Sequence, residues 1–214
     1  PIAIQADAEP EPAEPTELTE SVFTAYRPQR LSIAGAHAHP GRLVQSAAMG
    51  AVEPPAPGYS PHLPAQVVTD GKLSLAQLEV VVYAGQAHGE RLPNGARKGF
   101  FIGDGTGVGK GREISGVILD NLAQGRDKAV WVSFNRGLIE DARRDFAGVG
   151  GDPDLLFFQG DTKAGGALTR ERGILFTTYS TLRGGEKRQG TDQDGGRPGQ
   201  TRLQQLTDWL GPDF

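Results

Sequence analysis

The stretch GFFIGDGTGVGKGRE, Gly99 to Glu113, constrains this chain more than any other. A short apolar run, Phe100-Phe101-Ile102, leads into a loop with glycine at 103, 105, 107 and 109. Lys110 follows, and then a segment with helical spacing begins. Strand, glycine loop, lysine and helix is the layout of a nucleotide-phosphate cradle. Glycines let successive backbone N–H groups turn toward one anion, and the helix N-terminus adds partial positive charge. The lysine supplies a flexible point charge against phosphate. Two positions depart from G-x-x-x-x-G-K-[ST]: Asp104 stands at the first glycine, and Gly111 stands where a hydroxyl normally holds Mg²⁺. The dinucleotide fingerprint G-x-G-x-x-G fails in every register, and a plain glycine turn before a helix is the competing explanation.

The other bulk features narrow the class without deciding it. The chain has 214 residues and a net charge of −4. That charge at first argues against a nucleic-acid partner. Six acidic residues and no Lys or Arg fall in residues 1–20, however, leaving 22 basic and 20 acidic residues beyond them. Overall charge is therefore neutral on that question. No apolar run is long enough to cross a membrane, and no secretory pattern is present. The absence of cysteine excludes disulfides and cysteine-ligated zinc, and fits a cytoplasmic protein. The four histidines lack metal-ligand spacing, so no protein metal site is expected. The chain begins with Pro, which suggests an excerpt or a processed product.

Composition divides the chain into three. Residues 1–20, rich in Pro, Ala and Glu, read as a disordered acidic tail. Residues 21–72 read as a Pro-rich extended arm, with only Gly41 to Val52 as a possible short helix. Residues 73–214 read as the nucleotide-binding lobe. Ser74 and Gln77 have capping-box spacing at the head of a helix carrying Leu75, Leu78, Val81 and Val82. Phe100–Ile102 is expected as a first strand. Ile114, Val117, Ile118 and Leu122 mark a helix that Gly125 stops. Ala129–Ser133, Leu155–Phe158 and Ile174–Thr178 read as further strands. Leu138, Ile139, Ala142 and Phe146 form a helix between the first two of these. Residues 184–200 read as a flexible loop, and Thr201–Leu210 as a last helix with Leu203, Leu206 and Leu210 inward. Alternating strands and helices predict an α/β fold with a parallel sheet and nucleotide at the carboxyl ends of its strands. Ser133, Arg136, Thr177 and Thr178 then fall at such ends. Hydroxyls and arginine there suit a phosphodiester backbone, and equally suit the capping of helix N-termini.

Several of these segments together resemble a known family. LSLAQLEVVVYAG, DGTGVGKG, AVWVSFNRGLIEDARRDF and ILFTTYSTLR follow the order of the first motifs of superfamily 2 helicases. They are similar to the Swi/Snf branch, whose phosphate loop also begins with Asp. GFFIGDGTGVGKGR, HPGRLVQSAAMGAVEPPAPGYSPHLP and the terminal LQQLTDWLGPDF resemble the strawberry notch family more specifically, over residues 38–214. The resemblance implies a P-loop NTPase with a RecA-like first lobe, incomplete here, binding ATP with Mg²⁺ carried through the nucleotide. It implies backbone donors at Gly105, Thr106, Gly107, Val108 and Gly109, with Lys110 on the β and γ phosphates and Gly111 as the family's variant. Gln77 would read adenine, against its capping role, and Arg112 would face either phosphate or solvent. Ser133, Arg136, Thr177 and Thr178 would touch nucleic acid, DNA by this resemblance. The family continues past Asp213-Phe214 with a strand ending in Asp-Glu-x-His and with a second RecA-like lobe. No catalytic acid pair of that kind lies in these 214 residues. This chain alone is therefore expected to bind nucleotide without turning it over, as part of a helicase-like ATPase or translocase. The alternative is a non-catalytic nucleotide-binding or protein-interaction module. A nucleotide kinase or GTPase is disfavoured, since no N-K-x-D motif appears.

Overall fold

The computed structural model describes residues 1–6, 22–184 and 200–212. Most of the expected acidic tail and nearly all of the expected loop at 184–200 lie outside those residues. The chain divides into two compact units, Pro1–Gln124 with Gly148–Gly150, and Gly125–Ala147 with Gly151–Phe214.

The first unit begins with short strands. β1 (Gln5–Ala6) pairs antiparallel with β3 (Leu31–Ser32), and β2 (Phe23–Ala25) pairs antiparallel with β4 (Val44–Ser46). The start of the region expected as tail is thus bonded into the arm. The expected helix between Gly41 and Val52 reduces to one turn, α1 (Ala47–Gly50), capped by Ser46. α2 (Ala65–Thr69) buries Val67 and Val68.

α3 (Leu75–Gly89) starts where Ser74 and Gln77 predict, and both halves of the capping box are made. Leu78, Val81 and Val82 are buried, as the periodicity requires. α4 (Lys110–Ala123) follows the glycine loop, and Gly125 with φ 80° stands just past its end. Its inward face differs from expectation. Glu113, Ser115, Gly116, Asp120 and Leu122 are buried, while Ile114, Val117 and Ile118 are only half-buried. Two long-range contacts turn the helix this way. A Cβ on Gly116 would lie 2.8 Å from Leu73 and 2.9 Å from Val81, so only glycine allows this approach. Asp120 is drawn inward by the Tyr59 hydroxyl and the His62 amide, each donating at 2.5 Å.

Phe100–Ile102 forms no strand. An isolated apolar run has no ladder partner to satisfy its backbone, and among the described residues none pairs with it. Phe101 is 87% exposed.

The second unit carries the parallel sheet. β5 (Lys128–Ser133) leads to α5 (Leu138–Gly148), then β6 (Leu156–Phe158), β7 (Gly173–Thr178), α6 (Tyr179–Arg183) and α7 (Arg202–Leu210). The strand order is β5-β7-β6, with both pairings parallel. β7 is central and every residue in it is buried, as a continuous apolar run flanked on both sides requires. Leu175, Leu206 and Trp209 form a core cluster with Val130, Phe157 and Leu210 packed on it. In α7 the inward residues are Gln205, Leu206 and Trp209, whereas Leu203 is 55% exposed, against expectation. Trp209 Nε1 donates to Arg170 O at 2.6 Å, which fixes the face that α7 presents. Among the described residues no helix is long and apolar enough to cross a membrane.

Candidate nucleotide-phosphate site

The loop from Gly103 to Gly109 is shaped by backbone that only glycine adopts easily. Gly107 and Gly109 have φ of 95° and 96°, in the left-handed region. Gly109 is the N-cap of α4, and its carbonyl accepts from Arg112 N at 2.8 Å and Glu113 N at 3.2 Å. A Cβ built on Gly105 or Gly107 would meet nothing within 4 Å, so the space beside the loop is open. Lys110 is exposed and reaches back across the loop, its Nζ donating to Asp104 O at 2.8 Å and Gly105 O at 3.0 Å. The ammonium, the left-handed glycines and the N-terminus of a fourteen-residue helix therefore lie in one short stretch, the elements a phosphate cradle uses. Thr106 is exposed in this loop, and Gly111 follows the lysine with no hydroxyl to offer.

Val108 is held in place from outside the loop. Gln77 Nε2 donates to its carbonyl at 2.9 Å, and His39 Nε2 donates to the same oxygen at 3.2 Å. The other end of the Gln77 amide is engaged as well. Its Oε1 accepts from Ser74 N at 3.0 Å and from Ser74 Oγ at 3.2 Å. Gln77 is 5% exposed. The capping role is therefore realised, and the amide also clamps the phosphate loop. Gly109 completes this contact, since a Cβ there would stand 2.5 Å from Gln77 Nε2. Arg112 turns away from the loop and donates to Lys72 O at 3.1 Å.

One residue that sequence reasoning missed lies against this loop. Glu113 is fully buried, and neither carboxylate oxygen has a hydrogen-bond partner. Burial, and after it the nearby Asp104 carboxyl, push its pKa up to about 8, against the pull of Lys110. A faint signal was available: Glu113 precedes Gly116 by three and Asp120 by seven, the spacing of one helical face. Glu79, also buried, accepts a hydrogen bond from Tyr26, and burial raises its pKa.

These groups do not make a metal centre. Among the described residues no three metal-ligating side chains gather, and Gly111 has no hydroxyl. Glu113 is fully buried, and that burial with the neighbouring Asp104 carboxyl disfavours the ionised oxygen that a hard cation requires. The side chains present therefore do not fit a protein-held Mg²⁺.

In the second unit, Ser133 and Thr178 stand side by side at the carboxyl ends of β5 and β7, with Val132 opposite Thr177. Thr177 is fully buried and donates to Gln159 Oε1 at 2.7 Å. Thr178 caps α6, accepting from Thr181 N at 3.1 Å. Arg136 is exposed, paired with Asp161 at 2.8 Å and stacked 4.8 Å over the Phe158 ring.

Comparison with known proteins bears on the loop directly. The family model described as "P-loop containing NTP hydrolase pore-1" matches residues 38–214. Protein FORGETTER 1 of Arabidopsis thaliana is 39% identical over 199 residues, covering 90% of this chain and 14% of that protein. Protein strawberry notch homolog 1 of Homo sapiens is 36% identical over 217 residues, 99% of this chain and 15% of that protein. Protein strawberry notch homolog 2 of Homo sapiens is 43% identical over 176 residues, 82% of this chain and 12% of that protein. The chain thus spans only 12–15% of the length of these relatives. No solved structure matches it.

Proposed function

Because the chain belongs to the P-loop containing NTP hydrolase family, with strawberry notch proteins among its relatives, we propose that it is the ATP-binding part of a helicase-like, nucleic-acid-dependent ATPase or translocase of superfamily 2. The observation that carries this reading is the Lys110 ammonium closing a loop of left-handed glycines at the head of α4. Backbone donors from Gly105 to Gly111 cradle the phosphates, and Lys110 neutralises them. Gln77 and His39 hold Val108, which keeps the amides aimed before ligand arrives. Mg²⁺ accompanies ATP on the phosphates, with water completing its shell.

Nucleic acid, DNA in this reading, meets the carboxyl edge of the sheet through Ser133 and Arg136. Thr177 and Thr178, buried and with both hydroxyls engaged internally, support that edge from within. The location proposed is cytoplasmic, in keeping with a chain free of cysteine.

A second reading, a nucleotide-binding module without hydrolysis, is favoured by one observation. Among the described residues, the acid that lies against the loop, Glu113, is fully buried with its carboxyl pushed toward the neutral form by that burial and by Asp104. The chain by itself is accordingly expected to bind ATP without turnover. Calorimetric titration with ATP tests the shared premise. Lys110→Ala should weaken binding at least about tenfold, the equivalent of about 1.4 kcal/mol. Equal affinity in both proteins contradicts the phosphate-cradle assignment.

A further inference from the structure

A cleft of about 280 Å³ opens beside the phosphate loop, within the first unit. Tyr26, Tyr83, Phe100 and Phe101 give it aromatic walls, and Arg27 and Gln45 add polar groups. Its floor reaches Gly103 and Asp104, which are also the first residues of the loop. Lys110 Nζ bonds the Asp104 carbonyl at 2.8 Å, so cleft and phosphate cradle share one piece of backbone. The volume falls just below the ~300 Å³ at which pockets take drug-sized ligands, a size for one flat base and not for a whole nucleotide. Phe100 and Phe101 are 39% and 87% exposed, unusual for adjacent phenylalanines outside any strand.

Gln77 meanwhile has little left to offer a base. Its oxygen accepts two bonds from Ser74, and its nitrogen donates to Val108. Base recognition therefore needs another surface close to the loop. From this geometry we infer that the aromatic cleft holds the purine base of the bound nucleoside triphosphate, stacked against Phe101 and Tyr83, while Gln77 serves only to position the loop. Stacking on aromatic faces is tolerant of base identity. Any preference among bases then comes from polar groups at the cleft wall, such as Gln45 and Arg27.

This inference rests on the phosphate-cradle reading, so the test separates the two. The full chain is titrated calorimetrically with ATP and with inorganic tripolyphosphate, as wild type, Phe101→Ala, Tyr83→Leu and Lys110→Ala. Phe101 is exposed, so its truncation leaves the fold intact. Tyr83→Leu keeps an apolar wall and gives a second, independent probe. The expected result is an ATP affinity about tenfold weaker in Phe101→Ala and Tyr83→Leu, with tripolyphosphate affinity unchanged. Lys110→Ala should weaken both ligands. If the cleft variants leave the ATP-to-tripolyphosphate ratio at its wild-type value while Lys110→Ala weakens both, the cleft assignment is wrong and the cradle stands. If Lys110→Ala changes neither ligand, both assignments fall.

Discussion

The phosphate loop and the carboxyl edge of the three-stranded sheet carry similar chemistry, amides and hydroxyls beside a basic side chain, yet they use it differently. At the sheet edge the two threonine hydroxyls are closed off. Thr177 donates to Gln159, Thr178 caps α6, and Arg136 pairs with Asp161. At the loop, two glycines hold left-handed backbone, the space beside them is open, and Glu113 lies buried with both oxygens orphaned. A folded chain keeps such unrelieved features only where surrounding contacts enforce them, and they cluster at sites that bind or act. Hydroxyls at strand ends, by contrast, are most simply explained by the helix or strand they complete.

The sharpest way to break this comparison is at Glu113. A carboxyl whose folded pKa lies above its unfolded one takes up a proton on folding. Its contribution to stability is fully present below about pH 4.5, the ordinary value, and is lost as pH rises through about 8. Thermal unfolding followed from pH 4.5 to 8.5 should show wild type losing stability relative to Glu113→Gln across that window. Parallel profiles would mean that Glu113 is no more constrained than a surface acid.

Next in size is the sheet edge. Thr177→Val leaves Gln159 Oε1 buried without its donor, which should cost about 1–3 kcal/mol in denaturant unfolding. Its affinity for single-stranded DNA should stay at the wild-type level, whereas Arg136→Ala should bind more weakly and with a smaller salt dependence. The reverse pattern, unchanged stability with lost DNA binding in Thr177→Val, overturns the distinction drawn between the two regions.

The smallest effect is expected at Gln77. Gln77→Ala removes half of the capping box and one clamp on Val108. Stability should fall by about 1 kcal/mol, and the ATP-to-GTP preference should not move. A changed preference at unaltered stability would return adenine reading to Gln77.

What the sequence made legible was local, and what it hid was long-range. The Ser74–Gln77 box can be read directly because both partners lie within one turn. The strand at Gly173–Thr178 can be read because a buried central strand has a continuous apolar pattern, and the edge strand at Lys128–Ser133 can be read from its own β-branched and aromatic run. The glycine loop is legible for a similar reason, since left-handed backbone selects glycine residue by residue. Phe100–Ile102 shows the limit: an apolar run has strand propensity but cannot state whether a partner exists. The inward face of α4 shows another. Ile114 and Val117 carry the periodicity, but Gly116 against Leu73 and Val81, and Asp120 against Tyr59 and His62, decide the rotation. Those partners lie 35 to 61 residues away in the chain. Glu113 stayed hidden because its burial depends on the same rotation. Gln5–Ala6 lies in a stretch whose composition reads as disordered, yet it pairs with Leu31–Ser32 in the arm.

The central claim is that the backbone amides from Gly105 to Gly111, together with Lys110, hold the phosphates. Amide NMR of the uniformly ¹⁵N-labelled chain during titration tests it most directly. Adding ATP or tripolyphosphate should shift the amide resonances of Gly105, Gly107, Gly109 and Lys110 first and furthest, and adenosine should leave them in place. If the largest shifts fall elsewhere, or if adenosine moves the loop amides as far as tripolyphosphate does, the loop is not the phosphate cradle.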